Sequence, residues 1–235
     1  MLTLANMSTL DIELNIALIP EGHLGNQHVT LSQRLAKHFP AIVELSGPHN
    51  RLNLVPHLTL YQTPSPISNL EAMNTVLLTL ATRYQSMQLT GTGYAYNAGE
   101  RSLEVSYKIT DSLVALQNEL IAGINVLRND IYLERDPAGN LIKELLTAPG
   151  KLGENIAKTG YAEVGDPKTG GLFRPHVTLN WFKAGTGFDI TSPYLPVARK
   201  MTGSFDALGM YVLGPQGTCP QLLARYPLIP GTAIS

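Results

Sequence analysis

One five-residue pattern occurs twice in this chain, far apart: Pro56-His57-Leu58-Thr59-Leu60 and Pro175-His176-Val177-Thr178-Leu179. Each copy sets a histidine and a threonine two residues apart inside an apolar run. A β-strand alternates its side chains between two faces, so His and Thr share one face of each copy and the apolar residues share the other. The fold must therefore supply two strands that each bury one side and present an imidazole and a hydroxyl on the other. Strict alternation puts His57, Thr59 and Tyr61 on one face of the first strand. In the second it puts Arg174, His176, Thr178 and Asn180 on one face, backed by Val177, Leu179 and Trp181.

The remaining chain supplies partners for these strands. Residues 11–19 alternate, with Ile12, Leu14, Ile16 and Leu18 on one side and Glu13 and Asn15 on the other, which predicts a half-buried strand. Residues 27–39 carry apolar residues at helical spacing and end at Pro40. The first motif strand spans about 52–62. Ser68 and Glu71 have the spacing of a capping box for a helix running to about Tyr84. Two strand-like runs, 87–96 and 102–109, are joined by Asn97-Ala98-Gly99-Glu100, and Asp111 is placed to cap a third helix. The second motif strand spans about 172–182, and a final hairpin (203–213 and 220–227) precedes a tail from Pro230.

Each motif strand is thus followed by a hairpin, and the two hairpins open alike, with Leu89-Thr90-Gly91-Thr92 and Met201-Thr202-Gly203-Ser204. That echo predicts two similar sheet units facing one another, with His57 and His176 meeting across a pseudo-two-fold axis. The Gly- and Pro-rich stretch 129–171 reads as an insertion with a short helix near 141–147 or 151–158. It is either a flap over a site or a surface excursion.

Composition narrows the function. With 17 Lys+Arg against 18 Asp+Glu the net charge is −1, which argues against sequence-blind binding along a long nucleic-acid duplex. A single cysteine, Cys219, forbids an intrachain disulfide and reads as incidental. The first twenty residues lack Lys and Arg and contain Asp11 and Glu13, unlike a secretory signal. No run of eighteen apolar residues exists, so no membrane partner is expected and the cytoplasm is the expected location.

Two His-x-Thr motifs with apolar x positions resemble those of the two-histidine phosphoesterase superfamily, which includes the bacterial RNA ligase T-like 2′–5′ proteins and cyclic nucleotide phosphodiesterases. Phe173-Arg174-Pro175-His176-Val177-Thr178-Leu179 is especially similar to the second motif of the bacterial branch, and the likeness extends over most of residues 11–228. The resemblance implies an α+β, bilobal, duplicated fold with two antiparallel sheets lining a central cleft and helices outside. Residues 1–235 would then form one phosphoesterase domain. It also implies catalytic roles for His57 and His176 and phosphate-binding roles for Thr59 and Thr178.

The side chains suit that chemistry. Opening a 2′,3′-cyclic phosphate needs a water deprotonated on one side of phosphorus and a leaving oxygen protonated on the other. Two imidazoles with unperturbed pKa near ~6.5 can divide those tasks. No metal-ligand spacing is present, so no cofactor or metal is expected. Arg174 and Tyr61 are further candidates for substrate contact. His49, in Pro48-His49-Asn50-Arg51, lacks the motif. It and His23, His28 and His38 read as structural or surface residues. The expected partner is a nucleotide or short RNA end with a cyclic phosphate or 2′–5′ linkage. Hydrolysis and ligation, and which histidine is the base, stay open at this level. A non-catalytic nucleotide-binding module using the same cleft is the alternative.

Overall fold

The computed structural model describes residues 10–46 and 54–231. His49 and the last four residues of the expected tail lie outside them, as do the first nine residues. The strands are β1 (Asp11–Pro20), β2 (Ala41–Glu44), β3 (Leu58–Pro66), β4 (Met87–Leu89), β5 (Gly91–Asn97), β6 (Ser102–Tyr107), β7 (His176–Phe182), β8 (Gly203–Val212) and β9 (Gln221–Pro227). The α-helices are α1 (Gly22–Ala36), α2 (Leu70–Ala81), α3 (Asp111–Ile124), α4 (Ile142–Leu145) and α5 (Lys151–Thr159).

These strands form one open antiparallel sheet in the order β4-β8-β1-β3-β7-β6-β5, with β2 on β7 and β9 on β8. The two motif strands, β3 and β7, are joined through one residue pair, Leu58↔Val177. The sheet therefore divides into two antiparallel halves hinged at the apolar centres of the two motifs. The α+β, two-halved architecture expected from sequence is present. The halves are continuous at that single pair rather than separate sheets.

The order of the hairpins along the chain does not give their pairing. The β5–β6 hairpin follows the first motif strand, yet β6 pairs with β7, the second. The β8–β9 hairpin follows the second motif strand, yet β8 pairs with β1, which pairs with β3. Each hairpin thus completes the other half. The exchange is made at Thr90, which splits the run 87–96: β4 pairs with β8 and β5 with β6. Gly91 allows the crossing, because a Cβ there would lie 2.3 Å from the Ala198 carbonyl oxygen.

Helices α2 and α3 cover the half containing β3, and α1 covers the half containing β7. Their buried stripes (Met73, Leu77 and Leu80; Leu113, Leu116, Leu120 and Ile124; Leu24, Leu31 and Leu35) join one core. Helix α1 starts at Gly22, earlier than its apolar period suggests, and takes in His23 and His28. His28 is fully buried, with Nδ1–H donating to Leu24 O (2.8 Å) and Nε2 accepting from Tyr107 Oη (2.7 Å). Burial lowers its pKa to about 4. It is a neutral, satisfied core histidine. The capping box at Ser68 does not form: a short 3-10 turn leads into α2, and Asn69 instead donates to Leu127 O (2.8 Å). Helix α3 is capped by Thr110, whose hydroxyl accepts from Leu113 N–H, with Asp111 in the first turn. The stretch 129–171 contains both α4 and α5.

Candidate active site

The pair Leu58↔Val177 organises the site. In antiparallel pairing the residues flanking such a pair are also neighbours, so His57 is set across from Thr178 and Thr59 across from His176. All four line one open cleft of about 1100 Å³, solvent at its mouth included. The four residues carried by the two motifs are therefore brought together.

Both imidazoles are oriented in the same way. His57 Nδ1–H donates to Val55 O (2.9 Å) and His176 Nδ1–H donates to Arg174 O (2.7 Å), the carbonyl two residues upstream in each case. A carbonyl can only accept, so Nδ1 carries the hydrogen of each neutral ring and Nε2 its lone pair, which in His57 lies against the Gly217 carbonyl and can accept only from Asn15 Nδ2.

A second shared device follows each threonine. Ala17 pairs with Thr59 and Ile16 with Tyr61, leaving Leu60 as a bulge in β3. Glu104 pairs with Thr178 and Leu103 with Asn180, leaving Leu179 as a bulge in β7. A bulge strips its residue of ladder partners and reverses the alternation beyond it. The two freed carbonyls are claimed by buried helix side chains: Gln117 Nε2 of α3 donates to Leu60 O (3.1 Å), and Ser32 Oγ of α1 donates to Leu179 O (2.7 Å).

The bulges decide which later residues reach the cleft. Tyr61 does not: it is fully buried, donates through its hydroxyl to Thr159 O (2.6 Å), and packs edge-on against Tyr161. Gln62 lines the cleft in its place. Asn180 likewise is buried under α1, with Nδ2 3.3 Å from Ser32 O, and Trp181, which alternation assigns to the apolar backing, lines the cleft.

The surroundings of the two Nε2 atoms differ. His57 Nε2 lies 3.2 Å from Gly217 O and 3.4 Å from Asn15 Nδ2, and Asn15 Nδ2 also donates to Gly217 O (3.0 Å). Gln216 and Gly217 both have positive φ (54° and 71°), which turns the Gly217 carbonyl toward the ring. Burial lowers the pKa of His57, the Val55 carbonyl opposes this, the charge of His176 lowers it further, and the Gly217 carbonyl opposes again. His176 instead stands among carboxylates: Glu104 Oε1 is 3.8 Å from Nε2 and Glu163 Oε2 is 4.0 Å from Nδ1.

Arg174 lines the cleft beside His176 and binds both carboxylates, Glu104 Oε2 at 3.2 Å and Glu163 Oε1 at 2.8 Å. Its charge is thereby shared with two acids. Cys219 is buried against the cleft wall, and burial raises its thiol pKa.

Sequence reading passed over Asn15, Gly217, Glu104 and Glu163. Glu104 carries a usable signal, since Ser102, Glu104 and Ser106 alternate with Leu103, Val105 and Tyr107 in β6. Asn15 carries the same kind of signal on the polar face of β1. Glu163 and Gly217 lie in connections, where no period marks them.

Among the described residues, no group of three or more His, Cys, Asp or Glu is placed to hold a metal ion, and no helix is long and apolar enough to cross a membrane. No family model matches the chain, and no curated protein matches it. Solved structures do. LigT of E. coli in apo form superposes with a TM-score of 0.54 at 16% identity, covering 93% of this chain and 98% of that one. TT0787 of Thermus thermophilus gives 0.56 at 19% identity, covering 92% and 98%. The E. coli LigT complex with 3′-AMP gives 0.54 at 15% identity, covering 93% and 99%. At these identities the likeness establishes the fold: this chain is built as LigT is.

Proposed function

We propose that this LigT-fold protein is a two-histidine phosphoesterase that opens a 2′,3′-cyclic phosphate, or cleaves a 2′–5′ linkage, on a nucleotide or short RNA end. One observation carries the reading. Two imidazoles with Nδ1 tied to the backbone and two threonines, carried by strands that pair at Leu58↔Val177, line one cleft. The complex of a fold neighbour with 3′-AMP, a nucleoside phosphomonoester, fits the product side of such a reaction.

In this reading His57 is the base. Burial favours its neutral form, and Nε2 takes the proton of an attacking water. The ring that then carries a proton on Nε2 finds Gly217 O as acceptor. As the water oxygen bonds to phosphorus, one ring P–O bond breaks, and His176 Nε2–H gives its proton to the departing sugar oxygen. The imidazolium of His176 is flanked by Glu104 and Glu163 before that transfer. Thr59 and Thr178 donate to the non-bridging oxygens, where negative charge is greatest. With a sugar hydroxyl in place of water, the same two transfers join that hydroxyl to the phosphate as the ring P–O bond breaks. No step calls on a metal. The chain acts as one bilobal unit, and the 129–171 stretch, whose Leu133, Asp136 and Ile142 line the cleft, serves as the flap that covers substrate.

The test is turnover of nucleoside 2′,3′-cyclic phosphates and 2′–5′ dinucleotides with chelator present. Activity that persists under chelation and disappears in both His57→Ala and His176→Ala is the expected result. Full activity in either variant rejects the assignment. Nucleotide affinity without turnover across the panel selects the binding-module alternative.

A further inference from the structure

The charge of the cleft wall narrows the substrate class, and this inference rests on the phosphoesterase reading above. Among the described residues, four carboxylates line the cleft: Glu100, Glu104, Asp136 and Glu163. One guanidinium lines it, that of Arg174, and it is already bound to two of those acids at 3.2 and 2.8 Å. The hydrogen-bond donors offered to a phosphate by the two motifs are neutral threonine hydroxyls and two imidazoles. That set suits the single negative charge of a phosphodiester. It leaves a second, more highly charged phosphate facing carboxylates.

The carboxylates sense one another. Glu100 has its pKa raised by burial first, and then by Glu104 and Asp136. Additional negative charge brought into the same half-enclosed space meets repulsion that water screens incompletely. The cleft is also lined by apolar side chains, Val43, Leu133, Ile142, Leu145 and Trp181, which offer a planar base a surface without adding charge.

We infer that the cleft selects substrates that carry one phosphate, the cyclic diester itself, and discriminates against those bearing a further terminal phosphate or polyphosphate. The preferred class is then a nucleoside 2′,3′-cyclic phosphate that bears no phosphomonoester or polyphosphate.

The test compares adenosine 2′,3′-cyclic phosphate with the same compound carrying a 5′-phosphate, at low and at high salt. The expected result is a kcat/KM at least tenfold lower for the 5′-phosphorylated compound at low salt. That ratio should shrink as salt screens the wall, and fall below threefold in the double variant Glu100→Gln with Asp136→Asn. A wild-type ratio below tenfold at low salt, or one that the double variant does not bring below threefold, overturns the inference. If neither compound is turned over, the catalytic reading fails separately. The calorimetric Kd ratio of the same two compounds then decides this inference: tenfold weaker binding of the 5′-phosphorylated one keeps it. Equal affinity, or binding of neither, overturns it.

Discussion

The two halves of the cleft share a backbone plan and differ in what they place against the reactive nitrogen. In both, a histidine opens the motif and its Nδ1–H is held by the carbonyl two residues before it. In both, a threonine follows on the same face, and a bulged leucine is then satisfied by a buried helix side chain. Yet His57 faces a carbonyl and an amide, while His176 faces carboxylates. Two strands of one plan thus hold two equivalently oriented rings, and residues outside the repeated pentapeptide set them in different surroundings. The carboxylates and Asn15 come from strands adjacent to the motifs, or from the connection before β7, and none belongs to the repeated pentapeptide.

The most severe way to break the comparison is to remove either ring. His57→Ala and His176→Ala should each lower kcat/KM on a cyclic phosphate by roughly 10²–10⁴-fold, the usual value of one positioned proton transfer. The double variant should fall little further, since the two act as a unit. Steady-state kinetics beside circular dichroism checks this, and additive losses would deny the coupling.

Next in size are the hydroxyls. Thr59→Val and Thr178→Val each remove one donor to a charged phosphate oxygen, worth about 1.5–3 kcal/mol, or about ten- to a hundredfold in kcat. Similar losses in the two variants would support a symmetric phosphate grip, and a loss confined to one would break the symmetry.

The bulges offer a stability comparison. Gln117→Leu and Ser32→Ala each leave a buried carbonyl without its donor, at a cost of about 1–3 kcal/mol by urea unfolding. Ser32 Oγ also accepts from Leu45 N–H (2.8 Å) and Gln117 also donates to Glu163 O (2.8 Å), so neither change is expected to be silent.

The pH profile sharpens the difference between the rings. His57 must be neutral to act as base, and its pKa is lowered. Activity should therefore be lost as pH falls through a midpoint below about 6.5. A profile of kcat/KM whose acid limb lies above that value, or is unmoved in a Gly217 loop variant that turns the carbonyl away, would reverse the assignment of roles. The smallest expected effect is that of Tyr61→Phe, which gives up a buried hydrogen bond worth about 1 kcal/mol and leaves kcat/KM unchanged, because that ring lies in the core.

What could be read from the residues and what could not divide cleanly. Within the pentapeptides, the period of two placed His57 with Thr59 and His176 with Thr178, and the structure keeps both pairs in the cleft. One residue further on, the same rule assigns Tyr61 and Asn180 to that face, and the bulges at Leu60 and Leu179 give it to Gln62 and Trp181 instead. Nothing local marks those leucines as bulged. The bulge is maintained by partners far off in sequence, Gln117 and Ser32. The hairpins were legible as hairpins, but their own sequence carries no record of which edge they join, and Gly91 reveals the crossing only once Ala198 is beside it.

The residue order alone determined the period and polarity of each strand: two apolar-backed segments, each displaying an imidazole and a hydroxyl. Side-chain parity follows from neighbouring dihedrals, and so needs only the adjacent residues. Tertiary structure decided the exchange of hairpins between halves, the interruption of parity beyond each threonine, and the carboxylates and carbonyl that distinguish one ring from the other. Those features depend on contacts between segments up to two hundred residues apart, as between Asn15 and Gly217, whose energies appear only when the chain has packed.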